Sequence, residues 1–299
     1  MERLISGVVG AGRVGAVIAA KLRAAGHDLT AVSGASDASA IRIHALLPGV
    51  DVVSPLEVAL RSDVVILAVP DDSLILVVEE IAAAGGFRAG QYVAHTSGRH
   101  GLDALAAATR LGARPIALHP AMTFTGTDID LDRACVFGLT ARAADRAFAE
   151  ALVAELGGTA MWIPEAQRVL YHAALTHGAN HLVTLVSQSM DLLRLSGAED
   201  PAAVLRPLLT AALDNTLSFG DAALTGPVVR GDVTTVQAHV DALAANHVAD
   251  ATFDAYLEMA RATASLAVRD GRLAPLGARN IRRVLSEAEW DAQAESLAG

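Results

Sequence analysis

Lysine and cysteine are nearly absent from this chain of 299 residues: Lys21 and Cys135 each stand alone. A single cysteine excludes an intramolecular disulfide. Cys135 lies in the apolar run Ala134–Leu139 and reads as a packed core thiol rather than a nucleophile. Basic residues are outnumbered, 23 Lys and Arg against 33 Asp and Glu, and the scattered net charge of −10 argues against nucleic acid as the main partner. A small anionic ligand needs only one local cradle and is not excluded. There is no apolar run long enough to span a membrane. The N-terminus has some features of a signal peptide, Arg3 followed by an apolar stretch and small residues. Arg13 interrupts that stretch, however, so a cytoplasmic protein is expected. The histidines show no HExxH or comparable ligand spacing, so no metal site is expected.

The chain is 53% hydrophobic, much of it alanine, which predicts a packed, helix-rich protein. Its length suits two domains. The first half alternates short apolar runs with helical periodicity. Leu4–Val9 reads as a strand, Val14–Ala25 as a helix, Leu29–Ser33 as a strand, and Val50–Val53 as a weak strand before a helix begun at Pro55. Asp63–Val69 (DVVILAV) is the clearest strand. A helix over 73–84 follows it, then strands at 92–95, 115–118, 134–139 and 160–163. This alternation, with continuous apolar strands, predicts an α/β domain over residues 1–164, built on a doubly wound parallel sheet.

After Pro164 the strand signals stop. Helices are expected over 165–195, 201–219, 233–244 and 248–269, giving an all-α domain over 165–274. The composition turns polar beyond Leu273, so residues 275–299 are expected to form a loosely held tail.

Gly10-Ala11-Gly12-Arg13-Val14-Gly15 is GxGxxG placed between a strand and a helix. Gly10 permits the tight turn, Gly12 lets the backbone approach a pyrophosphate, and Gly15 lets the helix pack on the strand. The helix N-terminus offers free N–H groups to phosphate. Together with the Asp63–Val69 strand, the pattern marks a Rossmann-type dinucleotide-binding domain, with Gly10, Gly12, Arg13, Val14 and Gly15 at the cofactor. An NAD site usually carries an acid at the end of the second strand. Ser33 stands there instead, and the first acid, Asp37, reads as a cap of the next helix. Ser33 and Ser36 can donate to a 2′-phosphate, with charge from Arg13 or Arg42, so NADP is favoured over NAD.

The segments DVVILAVPDD (63–72), HTSG (95–98), LHPAMTF (118–124), YHAALTHGANHLVTL (171–185) and ALTGPVVRGD (223–232) go beyond a generic Rossmann pattern. Together they resemble a family that joins a Rossmann-like domain to a C-terminal helical domain of unknown function. Its relatives are pyrroline-5-carboxylate reductase and, more distantly, the 6-phosphogluconate and 3-hydroxyisobutyrate dehydrogenases. The resemblance implies a nicotinamide cofactor, a homodimer formed through the helical domain, and oxidoreductase activity on a small substrate it does not specify.

Strand ends in such a fold border the nicotinamide. Val69, Pro70 and Ser97 are therefore expected at the cofactor, and Thr96 and His119 at the substrate. A plain turn at Ser97-Gly98 and a core role for His95 or His119 stay open. His172, Thr176 and Asn180, spaced i, i+4 and i+8, share one face of a continuous helix. By resemblance, His172 or Thr176 is the proton donor and Asn180 orients substrate; a polar stripe at an interface is the alternative. Relatives among the hydroxyacid dehydrogenases use a lysine on this helix. Lys21 lies elsewhere, which excludes a lysine acid and favours histidine, or else an imine substrate that arrives protonated. Arg230, in the Gly-Pro…Arg-Gly-Asp segment, either grips a substrate carboxylate or belongs to a structural turn. The overall reading is an NADP-dependent reductase of a C=O or C=N bond; the alternative is a non-catalytic NADP-binding sensor or assembly protein.

Overall fold

A computed structural model describes residues 3–34 and 36–298. By compactness the chain divides into two units, Met1–Gly178 and Ala179–Gly299.

The first unit is an eight-stranded sheet. Its elements are β1 (Ile5–Val9), α1 (Arg13–Ala24), β2 (Asp28–Ser33), α2 (Asp37–Leu46), β3 (Asp51–Val52), α3 (Pro55–Arg61), β4 (Val64–Leu67), α4 (Asp71–Ala83) and β5 (Tyr92–His95). After these come α5 (Ala106–Arg110), β6 (Arg114–Pro120), β7 (Val136–Ala141), α6 (Arg146–Glu155), β8 (Thr159–Trp162) and α7 (Arg168–Leu175). Strand order is β3-β2-β1-β4-β5-β6-β7-β8. The first six strands thus adopt the doubly wound arrangement expected from the sequence. All four residues of β4 are buried, as a parallel strand covered on both faces requires. One apolar cluster includes Val17, Ile18 and Leu22 of α1; the other includes Val58 of α3 and Leu74 and Val78 of α4. Local signals set the helix starts. Ser54 and Glu57 form a reciprocal capping box around Pro55 at the start of α3.

The sheet is not wholly parallel, because β6 and β7 pair antiparallel. No crossover helix separates them, and parallel pairing needs one. The intervening loop is instead organised by Asp130, which is fully buried and accepts from the N–H groups of Thr125 and Gly126 at 2.8 Å. Lys21 is structural: its ammonium donates to the carbonyls of Arg133 and Leu156.

The sheet unit extends past the expected boundary at residue 164. Arg168 is 1% exposed and donates to carbonyls of the sheet and its β5 loop, so α7 belongs to this unit.

The second unit comprises α8 (His181–Leu195), α9 (Pro201–Phe219), α10 (Pro227–Arg230), α11 (Val233–Ala245), α12 (Asp250–Arg269) and α13 (Pro275–Ala298). The expected polar tail is corrected here: residues 275–298 are helical. Ala278, Ile281, Leu285 and Ala288 recur at helical spacing and are buried against a core containing Val236, Val240 and Leu257. Overall polarity concealed this apolar stripe.

Truncating a buried aliphatic side chain costs about 2–5 kcal/mol. Ile281→Ala is therefore expected to lower unfolding free energy by about that amount in urea titrations. A wild-type midpoint would show that this helix does not pack.

Candidate active site

The glycine loop has the geometry its sequence promised. Gly10 has φ +91°, and a Cβ there would sit 2.7 Å from the Ala68 carbonyl. A Cβ on Gly15 would lie 2.1 Å from the Gly10 carbonyl oxygen, so only glycine lets α1 pack this closely. Gly12 differs, since nothing lies within 4 Å of its missing side chain. It is the N-cap of α1 and has no side-chain cap bond. The turn is thus tight where it meets the strand and open at the helix N-terminus, a fit to a pyrophosphate. Arg13 and Val14, the first residues of α1, carry N–H groups at this open end.

Ser33 is mostly a brace. It is 7% exposed; its Oγ accepts from the Gly10 N–H at 3.1 Å and its carbonyl from Ala11 at 2.7 Å. The expected cap Asp37 is corrected: Ser36 is the N-cap of α2, accepting from the Ser39 N–H, and Asp37 follows in the first turn. Ser36 is exposed. The β6–β7 loop crosses here, and a Cβ on Gly126 would sit 2.7 Å from Arg42 Nε and 3.0 Å from Arg13 Cα. Among the described residues, no carboxylate lies within 4 Å of either guanidinium.

At the other strand ends, Val69 and Pro70 link β4 to α4, and Val69 lies against Gly10. The Thr96 N–H donates to the Leu67 carbonyl. His95 is fully buried, its Nε2 bonded to the Gly101 carbonyl at 2.9 Å and its Nδ1 accepting from the Ser97 N–H at 3.2 Å. Both ring nitrogens are engaged, so His95 organises the HTSG turn. Ser97 Oγ accepts from the His100 N–H and keeps its own hydroxyl proton. The turn reading of Ser97-Gly98 and a polar role for its hydroxyl are therefore compatible.

Glycines receive α7 on the sheet. A Cβ on Gly98 would sit 2.4 Å from His172 Cδ2 and 3.0 Å from His119 Nε2; one on Gly138 would be 2.5 Å from the Tyr171 hydroxyl. Arg168 donates to the Ser97 carbonyl at 2.8 Å, Thr140 Oγ1 at 3.1 Å and the Gly138 carbonyl at 3.4 Å. His119, near the end of β6, places Nδ1 2.8 Å from the Tyr171 hydroxyl, and its ring meets His172 edge to face at 5.8 Å. Sequence reasoning found His119 and His172 but missed Arg168 and Tyr171. The lone glycine inside the apolar strand Val136–Ala141 was the available signal, since such a glycine often marks a close approach.

The expected continuous helical face over His172, Thr176 and Asn180 is not formed. Thr176–Asn180 is a π-helical segment, which shifts the 100°-per-residue phase assumed for i, i+4 and i+8. His172 and Thr176 are half-buried in the first unit, whereas Asn180 is exposed in the second. In the Gly-Pro…Arg-Gly-Asp segment the turn chemistry is plain. Gly226 and Gly231 have φ of +111° and +67°, and Asp232 caps α11 through the Thr235 N–H. Arg230 is exposed, and no acidic group among the described residues lies within 4 Å of it.

Burial, then the neighbouring His172 and Arg168, pushes His119 down to about 4. Burial likewise pushes His95 down to about 4 and raises Tyr171. Burial also raises the Cys135 thiol, consistent with a packing role.

Comparison with known proteins finds two domain families and a shared fold. Residues 1–120 match the Rossmann-like domain, and residues 135–263 match DUF2520, a domain of unknown function. The chain therefore pairs a Rossmann-like domain with a DUF2520 domain. No curated protein sequence matches it. Three solved structures illustrate the shared fold. One is a candidate NADP oxidoreductase of Bacteroides fragilis, at 20% identity over 88% of this chain and 99% of that one, TM-score 0.75. A reductive aminase from Aspergillus terreus, in complex with NADPH and ethyl levulinate, is similar at 19% identity over 95% and 99%, TM-score 0.65. The third is a pyrroline carboxylate reductase of Plasmodium falciparum with NADP bound, at 14% identity over 89% and 99%, TM-score 0.55.

The buried histidines give a signed pH dependence. His95 is neutral when folded, and its folded value of about 4 lies below the ordinary 6.5 of an unfolded chain. The unfolded state binds more protons between those values, so stability falls as pH drops through that window. The loss is on the order of 3 kcal/mol from His95 when complete. Urea unfolding at about pH 7 and about pH 5 should show this decline; equal stability at both would contradict a buried neutral imidazole.

Proposed function

We propose that the protein is an NADP-dependent oxidoreductase that reduces a C=O or C=N bond in a small, carboxylate-bearing substrate. The observation that carries the reading is the glycine loop, closed against β4 by Gly10 and Gly15 and open at Gly12 beneath the N-terminus of α1. When bound there, reduced nicotinamide supplies a hydride. The chain's own contribution is to hold and orient. The α1 amides, including those of Arg13 and Val14, take the pyrophosphate, while Ser36, Arg13 and Arg42 take the 2′-phosphate. Val69, Pro70 and Ser97 border the ring. NADP is favoured because β2 ends in Ser33 rather than an acid, and among the described residues no carboxylate pairs with the neighbouring arginines. The NADPH and NADP in the related structures point the same way.

For the chemistry, the histidine pair His119 and His172 is the proposed source of the proton, at the strand ends where a substrate carbonyl or imine would lie. Thr176 is proposed to orient the substrate, and Thr96 to hold its carboxylate. The ethyl levulinate in the related reductive aminase, a small oxo ester, supports a small carbonyl compound as the substrate.

A second copy of the chain is the proposed partner. Helices α8 and α9 expose Leu182, Val183, Leu208, Leu213, Leu217 and Phe219, an apolar surface unusual for a monomer. Light scattering after gel filtration should give a dimer, and Leu213→Glu with Leu217→Glu should shift it to monomer. A monomeric wild type would overturn this.

Calorimetry tests the cofactor. Wild-type protein should bind NADPH more tightly than NADH. Arg42→Ala should weaken NADPH about tenfold, the value of one charge-assisted contact, and leave NADH nearly unchanged. Failure to bind either nucleotide would sink the proposed function.

A further inference from the structure

We propose that Tyr171 and His119 form a proton relay, with His119 Nε2–H the group that protonates the reduced substrate and Tyr171 restoring the imidazole through Nδ1. The inference rests on the reductase reading and assigns the proton within it to His119 rather than to His172.

The first argument is tautomeric. Tyr171 Oη lies 2.8 Å from His119 Nδ1. The Gly138 amide faces the same phenol oxygen and favours its negative form. With Gly138 on one side of the phenol oxygen, the relay has the phenol proton on Nδ1 as acceptor and the imidazole hydrogen on Nε2. Nε2 points at Gly98, 3.0 Å from where a Cβ would stand, and no group among the described residues bonds to it. In the relay the imidazole N–H therefore sits on Nε2, at the end of β6 and facing Gly98.

The second argument concerns charge. His119 faces His172 and Arg168 from α7 and Asp71 from the start of α4, and in this half-buried setting it stays neutral near pH 7. A neutral imidazole is a poor acid alone, because losing its proton leaves an anion. It can release the Nε2 proton if Nδ1 gains one in the same event, and Tyr171 is the group in contact with Nδ1. Reduction of a C=O bond breaks the π bond, places hydride on carbon and requires one proton on oxygen. His119 Nε2 gives that proton, and Tyr171 Oη gives its own to Nδ1. The imidazole ends neutral in the other tautomer; after product leaves, Nδ1 returns its proton to the phenolate and Nε2 takes one from water, which restores the resting state.

Arg168 completes the device as a positioning residue. Its guanidinium is buried, no carboxylate among the described residues lies within 4 Å, and its Nε has no hydrogen-bond partner. Burial raises the Tyr171 phenol, and the Arg168 charge offsets part of that cost for the phenolate. Glu165 offsets part of the Arg168 charge without contact, burial of such a cation is costly in a purely structural role, and a transient anion on Tyr171 gives that charge a use.

Two measurements test the relay. Ring ¹⁵N NMR of the cofactor-free protein should show His119 as the neutral Nε2–H tautomer from about pH 6 to about pH 8, and Tyr171→Phe should release that preference. A protonated ring or the Nδ1–H tautomer in wild type would overturn the proposal. Turnover is then assayed with NADPH on pyruvate, acetoacetate and levulinate, with and without ammonium. Tyr171→Phe, which removes one oxygen, should lower kcat about a hundredfold and leave the NADPH Kd unchanged. A curved proton inventory in mixed H₂O and D₂O should become linear, and wild-type kcat should not fall as pH rises through neutrality. Wild-type kcat and proton inventory retained in Tyr171→Phe would refute the relay while sparing the reductase reading. A wild type that binds no nucleotide or reduces none of these compounds would remove the reading and the relay together.

Discussion

Arg168 ties the candidate site together. Its guanidinium reaches the Ser97 carbonyl beyond β5, and the Gly138 carbonyl and Thr140 hydroxyl on β7, from the first turn of α7. Burying this charge is unfavourable unless polar groups surround it. Two backbone carbonyls and a hydroxyl supply part of that surrounding, and each bond also fixes the helix against the sheet. The placement of Tyr171 and His172 follows, because both lie within one helical turn of Arg168. Had α7 docked through apolar contacts alone, it would tolerate small slides and rotations. Directional bonds to fixed carbonyls do not, and a proton-transfer geometry needs that restriction.

Docking also depends on what the sheet lacks. Gly98 and Gly138 leave space for the His172 ring and the Tyr171 phenol, and Gly101 leaves space for the Glu165 carboxylate. These glycines do not require left-handed backbone, since none of the three has positive φ. Their role is clearance. The fingerprint glycines divide differently: Gly10 supplies conformation, Gly15 clearance, and Gly12 an unobstructed approach for a ligand. Glycine thus shapes both the nucleotide end and the histidine end of the strand termini, by different physical means.

This difference explains what could be read from the amino-acid sequence. The fingerprint was legible because its glycines fall at fixed spacing between a strand and a helix, a local pattern with a local cause. The doubly wound character of the sheet followed from alternation. His119 and His172 were legible as polar residues at a strand end and on a helix. Tyr171 and Arg168 were not, because an aromatic and a cation at a helix start look ordinary until the strand carbonyls and Gly138 are brought beneath them. The α13 stripe was hidden for a related reason: Ile281 and Leu285 are spaced for a helix, but the charged residues between them dominate local composition. The π segment at Thr176–Asn180 leaves no periodic trace at all, and it broke an argument built on strict helical phase.

His95 and His119 show why burial alone does not identify chemistry. Both lie at the carboxyl ends of neighbouring strands, and desolvation pushes both down to about 4. His95 has a carbonyl on one nitrogen and an amide on the other, so it has no proton to give without breaking the turn that holds Ser97. His119 has a hydroxyl on Nδ1, able to donate or accept, and an Nε2 that bonds to nothing among the described residues. A similar shift therefore marks a structural residue in one case and a candidate donor in the other. The distinction lies in the partners: a carbonyl only accepts and a backbone amide only donates, whereas a phenol can change roles within one catalytic cycle. A lysine acid would need no such partner, being charged at rest. In a chain whose one lysine staples α1 to distant backbone, a neutral histidine backed by a tyrosine is an arrangement able to supply a proton at this strand end.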